Sequence, residues 1–170
     1  MLEREPLSAQ IRVAVIWLYA VAAATLLNSV LVQLFSRFID LLAGLWITQA
    51  IDAFWVGMRS VEPPGVSPSF EIGAALVIDA LIAVVVVSLA RKISRESRRA
   101  TMIAFFVYLA DTAAFAVSFR ASVRSHVPMV FLGWQALTIL VHISGVVIIY
   151  RAWRSLRGKT HPLASAESIP

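Results

Sequence analysis

The amino-acid sequence predicts an all-α membrane protein, a four-transmembrane-helix bundle with an additional amphipathic or re-entrant helix after the first span. Three observations predict this fold class. The chain of 170 residues is 59% hydrophobic and 15% charged, with a mean hydropathy of +0.81. Its apolar residues form blocks long enough to cross a bilayer. Its cations collect between those blocks, above all in residues 91–99, a run that cannot lie in hydrocarbon.

The four spans follow the apolar blocks in chain order. Residues 1–10 are predicted to be a cytoplasmic N-terminus, and the first span covers about residues 11–35. That run is too long for the apolar region of a signal peptide, so it is interpreted as a retained span. The remaining spans are predicted at about 72–90, 101–119 and 129–150. The transmembrane bundle then covers residues 11–152, and residues 153–170 form a tail that is first basic and then disordered.

Residues 36–58 are apolar, yet polar side chains recur in them every three or four positions. Helical spacing places these side chains on one narrow stripe, which a helix surrounded by lipid would hardly carry. We therefore expect an amphipathic helix on the outer face, or a re-entrant segment packed against the bundle. A fifth span is the alternative. The residues of this outer stripe are Arg37, Asp40, Thr48 and Asp52.

The distribution of cations predicts the orientation. In the four-span topology the basic turn and the basic tail lie on the same side, and short loops rich in Lys and Arg stay in the cytoplasm. The five-span alternative would place fewer of these cations inside and would move the N-terminus outside. We expect both termini in the cytoplasm and membrane lipids as partners. Lipid head groups are expected to contact Arg91, Lys92, Arg95, Arg98, Arg99, Arg151 and Arg154.

Polar residues inside spans indicate where function could lie, because each is costly in lipid. Asp111 and His142 lie at similar depths in the third and fourth spans. Three alternatives follow: a proton-responsive pair, a structural hydrogen bond between helices, or two side chains that do not touch. Asp79 and Asn28 form a second candidate group, which Gln49 and Asp52 could complete as an outward-opening pocket. The favoured alternative is that Asp79 lies near the interface and is hydrated, while Asn28 bonds to a neighbouring helix. The intramembrane network is predicted to contain Asp111, His142, Asp79, Asn28, Gln135 and Thr138.

Several classes of site are not expected. The chain has no Cys, which excludes disulfides and thiolate metal sites. Its three His residues are far apart, and neither a Gly-rich phosphate loop nor a Gly-x-Ser-x-Gly elbow is present. We expect no metal, no cofactor and no catalytic residue. No nucleic-acid motif is present, so no nucleic-acid partner is expected.

Short motifs resemble those of small, uncharacterised four-span bacterial inner-membrane proteins. They are Asn28-Ser29-Val30, residues 44–52 (GLWITQAID), residues 107–111 (VYLAD), and His142 ahead of Tyr150-Arg151-Ala152. The resemblance implies a multi-pass bundle in the inner membrane of a bacterial cell. It implies no activity, because none is known for the group.

Two classes of function follow from the sequence. The first is a structural or accessory subunit that acts through helix–helix or lipid contacts, with another membrane protein or as a homo-oligomer. The second is a small transporter or proton-linked binding protein that uses Asp79, Asp111 and His142. Four spans leave little room for alternating access, so the sequence favours the first class. Ala20 and Ala24 form a small-xxx-small pair through which another helix could approach.

Overall fold

The computed structural model describes residues 8–35, 44–61, 68–124 and 128–158. Those residues form five α-helices: α1 (Ala9–Phe35), α2 (Trp46–Val61), α3 (Pro68–Ile93), α4 (Arg98–Arg124) and α5 (Met129–Gly158). By length and composition, α1, α3, α4 and α5 can each cross a membrane. The short α2 has 16 residues. The predicted fold class is confirmed, and the four apolar helices are those of a multi-pass membrane protein.

The helices extend beyond the apolar blocks that predicted them. Helix α3 begins at Pro68 rather than residue 72, and α4 continues to Arg124 rather than residue 119. Helix α5 continues to Gly158, so residues 153–158 belong to the last helix and not to a tail. The thickness of the hydrocarbon core sets the length of the apolar sequence but not the length of the helix. A helix can continue past the apolar sequence because its Arg and Lys side chains reach the interface. Residues 1–7 and 159–170 lie outside the described residues.

The predicted helix over residues 36–58 is not continuous in the structure. Gly44 and Leu45 are not helical, and α2 begins at Trp46. The expected stripe is therefore not a stripe on one helix. Thr48 and Asp52 lie one turn apart on α2, whereas Arg37 and Asp40 lie outside the described residues. The spacing of polar residues in the sequence continues through Gly44 without a break. The start of α2 after Gly44 is instead fixed by contacts with other helices, which are described below.

Helix α2 packs against three of the four long helices. The most extensive packing joins α1 to α3 and α4 to α5, while α1 also packs on α5. Helices α3 and α4 contact each other less, and α2 contacts α1, α3 and α4. Helix α2 therefore fills part of the space between α3 and α4, in the half of the bundle where α1 ends. The contacts show that α2 is packed against the bundle.

The distribution of polar side chains is the reverse of that in a soluble protein. Helix α2 buries Thr48, Gln49 and Asp52, whereas its Ile47 and Phe54 are exposed. The long helices follow the same rule, because their exposed faces carry large apolar side chains. Such a surface suits lipid, and the core holds the groups that lipid cannot hydrogen-bond.

A tight turn joins α3 to α4. The Glu96 N–H donates to Ile93 O at 2.8 Å and the Ser97 N–H donates to Lys92 O at 3.1 Å, the bond pattern of a Schellman motif. Glu96 has a φ of 59°, in the left-handed region. Ser97 Oγ then accepts the Ala100 N–H at 3.3 Å as the N-cap of α4. The motif holds the basic run of residues 91–99 at one end of the bundle.

Candidate functional site

The start of α2 is capped by side chains from two other helices. Leu45, which precedes α2, donates its backbone N–H to Thr25 Oγ1 on α1 at 3.2 Å. The N–H groups of Trp46 and Ile47 donate to Oδ2 and Oδ1 of Asp111, each at 3.0 Å. Asp111 is the central residue of α4, so α2 begins halfway along the bundle.

These caps are required because the first N–H groups of a helix have no acceptor within the helix. A Ser, Thr, Asp or Asn before the helix usually supplies one, but Leu45 carries no acceptor. Within a bilayer no water replaces that acceptor, and an unpaired backbone group is costly. The Asp111 carboxylate provides the acceptors from α4, and its charge complements the positive end of the α2 dipole.

His142 on α5 lies beside the Asp111 carboxylate. Its Nε2 is 3.5 Å from Asp111 Oδ2, an ion-pair distance that is longer than a direct hydrogen bond. Its Nδ1 is 2.9 Å from the backbone oxygen of Thr138. A carbonyl only accepts, so Nδ1 carries a hydrogen. An Nε2 lone pair would be repelled by an ionised carboxylate, so the pair is attractive only when it holds one further proton.

His142 is fully buried between two aromatic side chains of α4. Tyr108 stacks on the imidazole with ring centroids 5.6 Å apart, and Phe115 lies at 5.5 Å in a tilted arrangement. Tyr108, Asp111 and Phe115 share one face of α4, because their spacing of three and four residues follows the helical repeat. The α4 face therefore fixes the imidazole ring next to the carboxylate.

A second polar cluster lies where α2 packs on α1 and α3. Asp52 Oδ1 on α2 accepts hydrogen bonds from Ser29 Oγ at 3.2 Å and from Gln33 Nε2 at 2.6 Å, both on α1. Asp79 on α3 interacts with Ser29 and Asp52 across the interface. All four side chains are buried. Two carboxylates thus share one buried site in the half of the bundle where α1 ends. We name these residues the Asp52–Asp79 cluster.

The structure divides the predicted network into these separate sites. Thr138 joins the Asp111–His142 pair through its backbone oxygen. Gln135 instead approaches Ser122 on α4, at 3.5 Å, two turns from His142. Asn28 is buried on α1 but joins neither group through the described hydrogen bonds, although it was expected beside Asp79.

Sequence reasoning missed the α1 side of both sites. Thr25, Ser29 and Gln33 are spaced by four residues, which places them on one face of a helix. In an otherwise apolar span, that spacing is a signal that α1 lines a polar interior. Each of the three contacts α2, or the residue before it.

An apolar groove lies between α3 and α4, next to the start of α2. Its volume is about 610 Å³, and its floor includes Leu45, Trp46 and Ile47. Among the described residues that line the groove, Asp111 is the one ionisable side chain. The α3 side continues to Leu89, two residues before the basic run. The groove thus connects the mid-bundle carboxylate with the end where cations collect.

The residues expected to meet lipid head groups are exposed at one end of the bundle, where α3 and α5 end and α4 begins. They are Arg91, Lys92, Arg95, Arg98, Arg99, Arg151 and Arg154. Among the described residues, no group of three or more His, Asp and Glu side chains could hold a metal ion.

No protein-family model, curated protein or solved structure matches this chain.

We predict that Gly145→Ala disturbs the His142 pocket, whereas Gly133→Ala on the same helix does not. A Cβ at Gly145 would overlap the indole nitrogen of Trp17 and the ring of Tyr108, while a Cβ at Gly133 meets no atom within 4 Å. The melting temperature of Gly145→Ala in detergent should fall, because overpacking costs about 1–3 kcal/mol. Equal melting temperatures for the two variants would contradict this close packing.

Proposed function

We propose that this chain is a small proton-linked binding protein or transporter for an anionic amphiphile. The observation that carries the proposal is the position of Asp111. This carboxylate caps α2, lies beside His142 and lines the apolar groove. One ionisable group is therefore in contact with the helix whose start lines the groove, with a proton carrier and with the space for a ligand. Intramembrane groups of this kind typically mark ligand or proton pathways.

The ligand class follows from the groove. A volume of about 610 Å³ lies within the range of small-molecule sites, and the lining from α3 and α4 is apolar. An acyl chain or similar tail fits such a lining. The exposed cations Arg91 and Lys92 follow Leu89 on α3 and would attract an anionic head group.

The link to protons follows from the Asp111–His142 pair. When the pair holds its extra proton, the imidazolium attracts the carboxylate. The carboxylate also accepts hydrogen bonds from the N–H groups of Trp46 and Ile47. When the proton is lost, the lone pair of His142 Nε2 faces the Asp111 anion, and α5 is repelled from the start of α2. Because Trp46 and Ile47 form the groove floor, a ligand that contacts them changes affinity with this protonation step.

The first test is ligand binding by purified protein, with a fluorescent fatty acid as probe. Affinity should fall as the pH rises through the range in which the Asp111–His142 pair loses its extra proton. In His142→Gln the affinity should not depend on pH over this range. Ala110→Phe should block binding because Ala110 lines the groove, whereas Ala113→Phe should not, since Ala113 is exposed on α4 outside it.

The controls separate the two parts of the proposal. Binding that Ala110→Phe leaves intact would show that the groove is not the ligand site. Binding that keeps its pH dependence in His142→Gln would remove the Asp111–His142 pair from the linkage.

A second candidate is a structural or accessory subunit, which the surface of α1 favours. Ala20 and Ala23 are exposed and Ala24 is half-buried, so the backbone of another membrane helix could approach this face closely. Native mass spectrometry of the gently extracted protein distinguishes this candidate. A complex with a different polypeptide that Ala20→Leu disrupts would support the accessory subunit.

We further propose a bacterial inner-membrane location with both termini in the cytoplasm. The basic end of the bundle carries the exposed cations of residues 91–99 together with Arg151 and Arg154, which the positive-inside rule assigns to the cytoplasm. The proposal also takes membrane lipids as the contacts of these cations.

The absence of Cys from the sequence permits a clean test of this orientation. In intact cells, a membrane-impermeant maleimide should label Arg120→Cys, near the outer end of α4, but not Arg95→Cys in the basic turn. Permeabilised cells should show labelling at both positions, which controls for reactivity. Labelling of Arg95→Cys in intact cells would reverse the topology.

A further inference from the structure

We propose that the Asp52–Asp79 cluster is a binding site for a sodium ion, separate from the Asp111–His142 pair. The site is formed by α1, α2 and α3, and its ligands are carboxylate, amide and hydroxyl oxygens. It goes beyond the proposed function, because it involves neither the groove nor the proton-carrying pair.

The cluster has more acceptor atoms than donors. Both donors, Ser29 Oγ and Gln33 Nε2, point to the same atom, Asp52 Oδ1. Among the residues that the structure describes, Asp52 Oδ2 and both oxygens of Asp79 lack a partner in hydrogen-bond geometry, although Ser29 and Asp52 lie near Asp79. These are buried atoms on side chains that are 0% exposed. In native proteins such unsatisfied atoms are rare, and each requires an explanation.

Gln33 provides an independent indication of a ligand. Its side chain is 2% exposed, and its amide nitrogen lies 2.6 Å from Asp52. Its amide oxygen is nevertheless buried without a donor among the described residues. The hydrogen bond fixes the amide group beside Asp52, so the unpaired oxygen belongs to the same amide group that contacts the cluster. A neutral oxygen left unpaired beside two carboxylates indicates a bound positive charge.

The charges of the cluster lead to the same conclusion. Every Lys and Arg side chain that the structure describes is exposed, so none neutralises Asp52 or Asp79 from within the bundle. Two carboxylates that share a buried site cannot both be ionised without a compensating positive charge. A metal ion or a shared proton can supply it.

The oxygen set favours sodium over the common divalent ions. Ca²⁺ takes 6–8 oxygen ligands, and Mg²⁺ usually keeps several waters. The cluster offers fewer oxygens than Ca²⁺ needs: Asp52 Oδ2, both oxygens of Asp79, Gln33 Oε1 and Ser29 Oγ. Its complete burial does not suit the hydrated Mg²⁺ ion. Hard oxygen ligands without thiol or imidazole suit a hard cation, and in membrane carriers such ions bind beside interrupted helices.

Sodium at this position would attach α2 to the bundle at a second point. Asp111 holds the first turn of α2, and Asp52 lies more than one turn further along. An ion shared by Asp52 and Asp79 would join α2 to α3, while Ser29 and Gln33 add α1. Sodium binding should therefore stabilise the whole protein, because the ion is bound only when these three helices are packed together.

The experiment is thermal unfolding of the full chain in detergent, with NaCl compared with KCl, CaCl₂ and choline chloride at matched ionic strength. NaCl should raise the melting temperature in a saturable manner, with little effect from the other salts. Asp79→Asn should abolish this increase, and His142→Gln should retain it because His142 belongs to the other site and contacts no residue of the cluster. The same variants separate a failure of this proposal from a failure of the proposed function.

A second variant and a direct measurement guard against misfolding. Gln33→Leu keeps both carboxylates and should weaken sodium affinity about tenfold through the loss of one ligand, measured by calorimetric titration with NaCl. No sodium effect in the unsubstituted protein would overturn the proposal, and stabilisation by acid alone would assign the charge to a shared proton. A sodium effect that survives in Asp79→Asn, or a response to CaCl₂ alone, would also overturn it.

Discussion

The structure depends on the hydrogen bonds between the Asp111 carboxylate and the start of α2. A helix that begins halfway along a membrane bundle presents its first N–H groups where no water can reach them. Two of these groups reach Asp111, and the N–H of Leu45 reaches Thr25. The position of α2, the floor of the groove and the place of His142 all follow from where that carboxylate lies on α4.

The polar interior explains how so apolar a chain acquires one defined arrangement. Lipid does not drive helices together as water does, so packing and buried polar contacts must select the partners of each helix. Here the polar side chains of α1 face α2, and those of α4 and α5 face each other. Helices α3 and α4 contact each other less than α1 contacts α3, and the groove lies between α3 and α4 next to the start of α2.

The spans could be predicted because the thickness of the hydrocarbon core sets the length of apolar sequence that a span requires. The ends of the helices were less so, since Arg124 and the residues up to Gly158 continue helices beyond that length. The proximity of Asp111 to His142 was expected from depth alone. That both oxygens of Asp111 cap α2 could not be inferred, because the tertiary contact joins positions 64 and 65 residues apart. The four-residue spacing of Thr25, Ser29 and Gln33 was visible but was not used.

The separation between α2 and its cap has a consequence for biosynthesis. At synthesis rates of roughly 5–20 residues per second, the 65 residues between Trp46 and Asp111 take about 3–13 seconds to make. During that time the start of α2 exists without its acceptor. The nascent chain must therefore keep this segment in contact with water or with the insertion machinery until α4 is complete. As a result, α2 enters the bundle after α3, the helix that follows it in sequence.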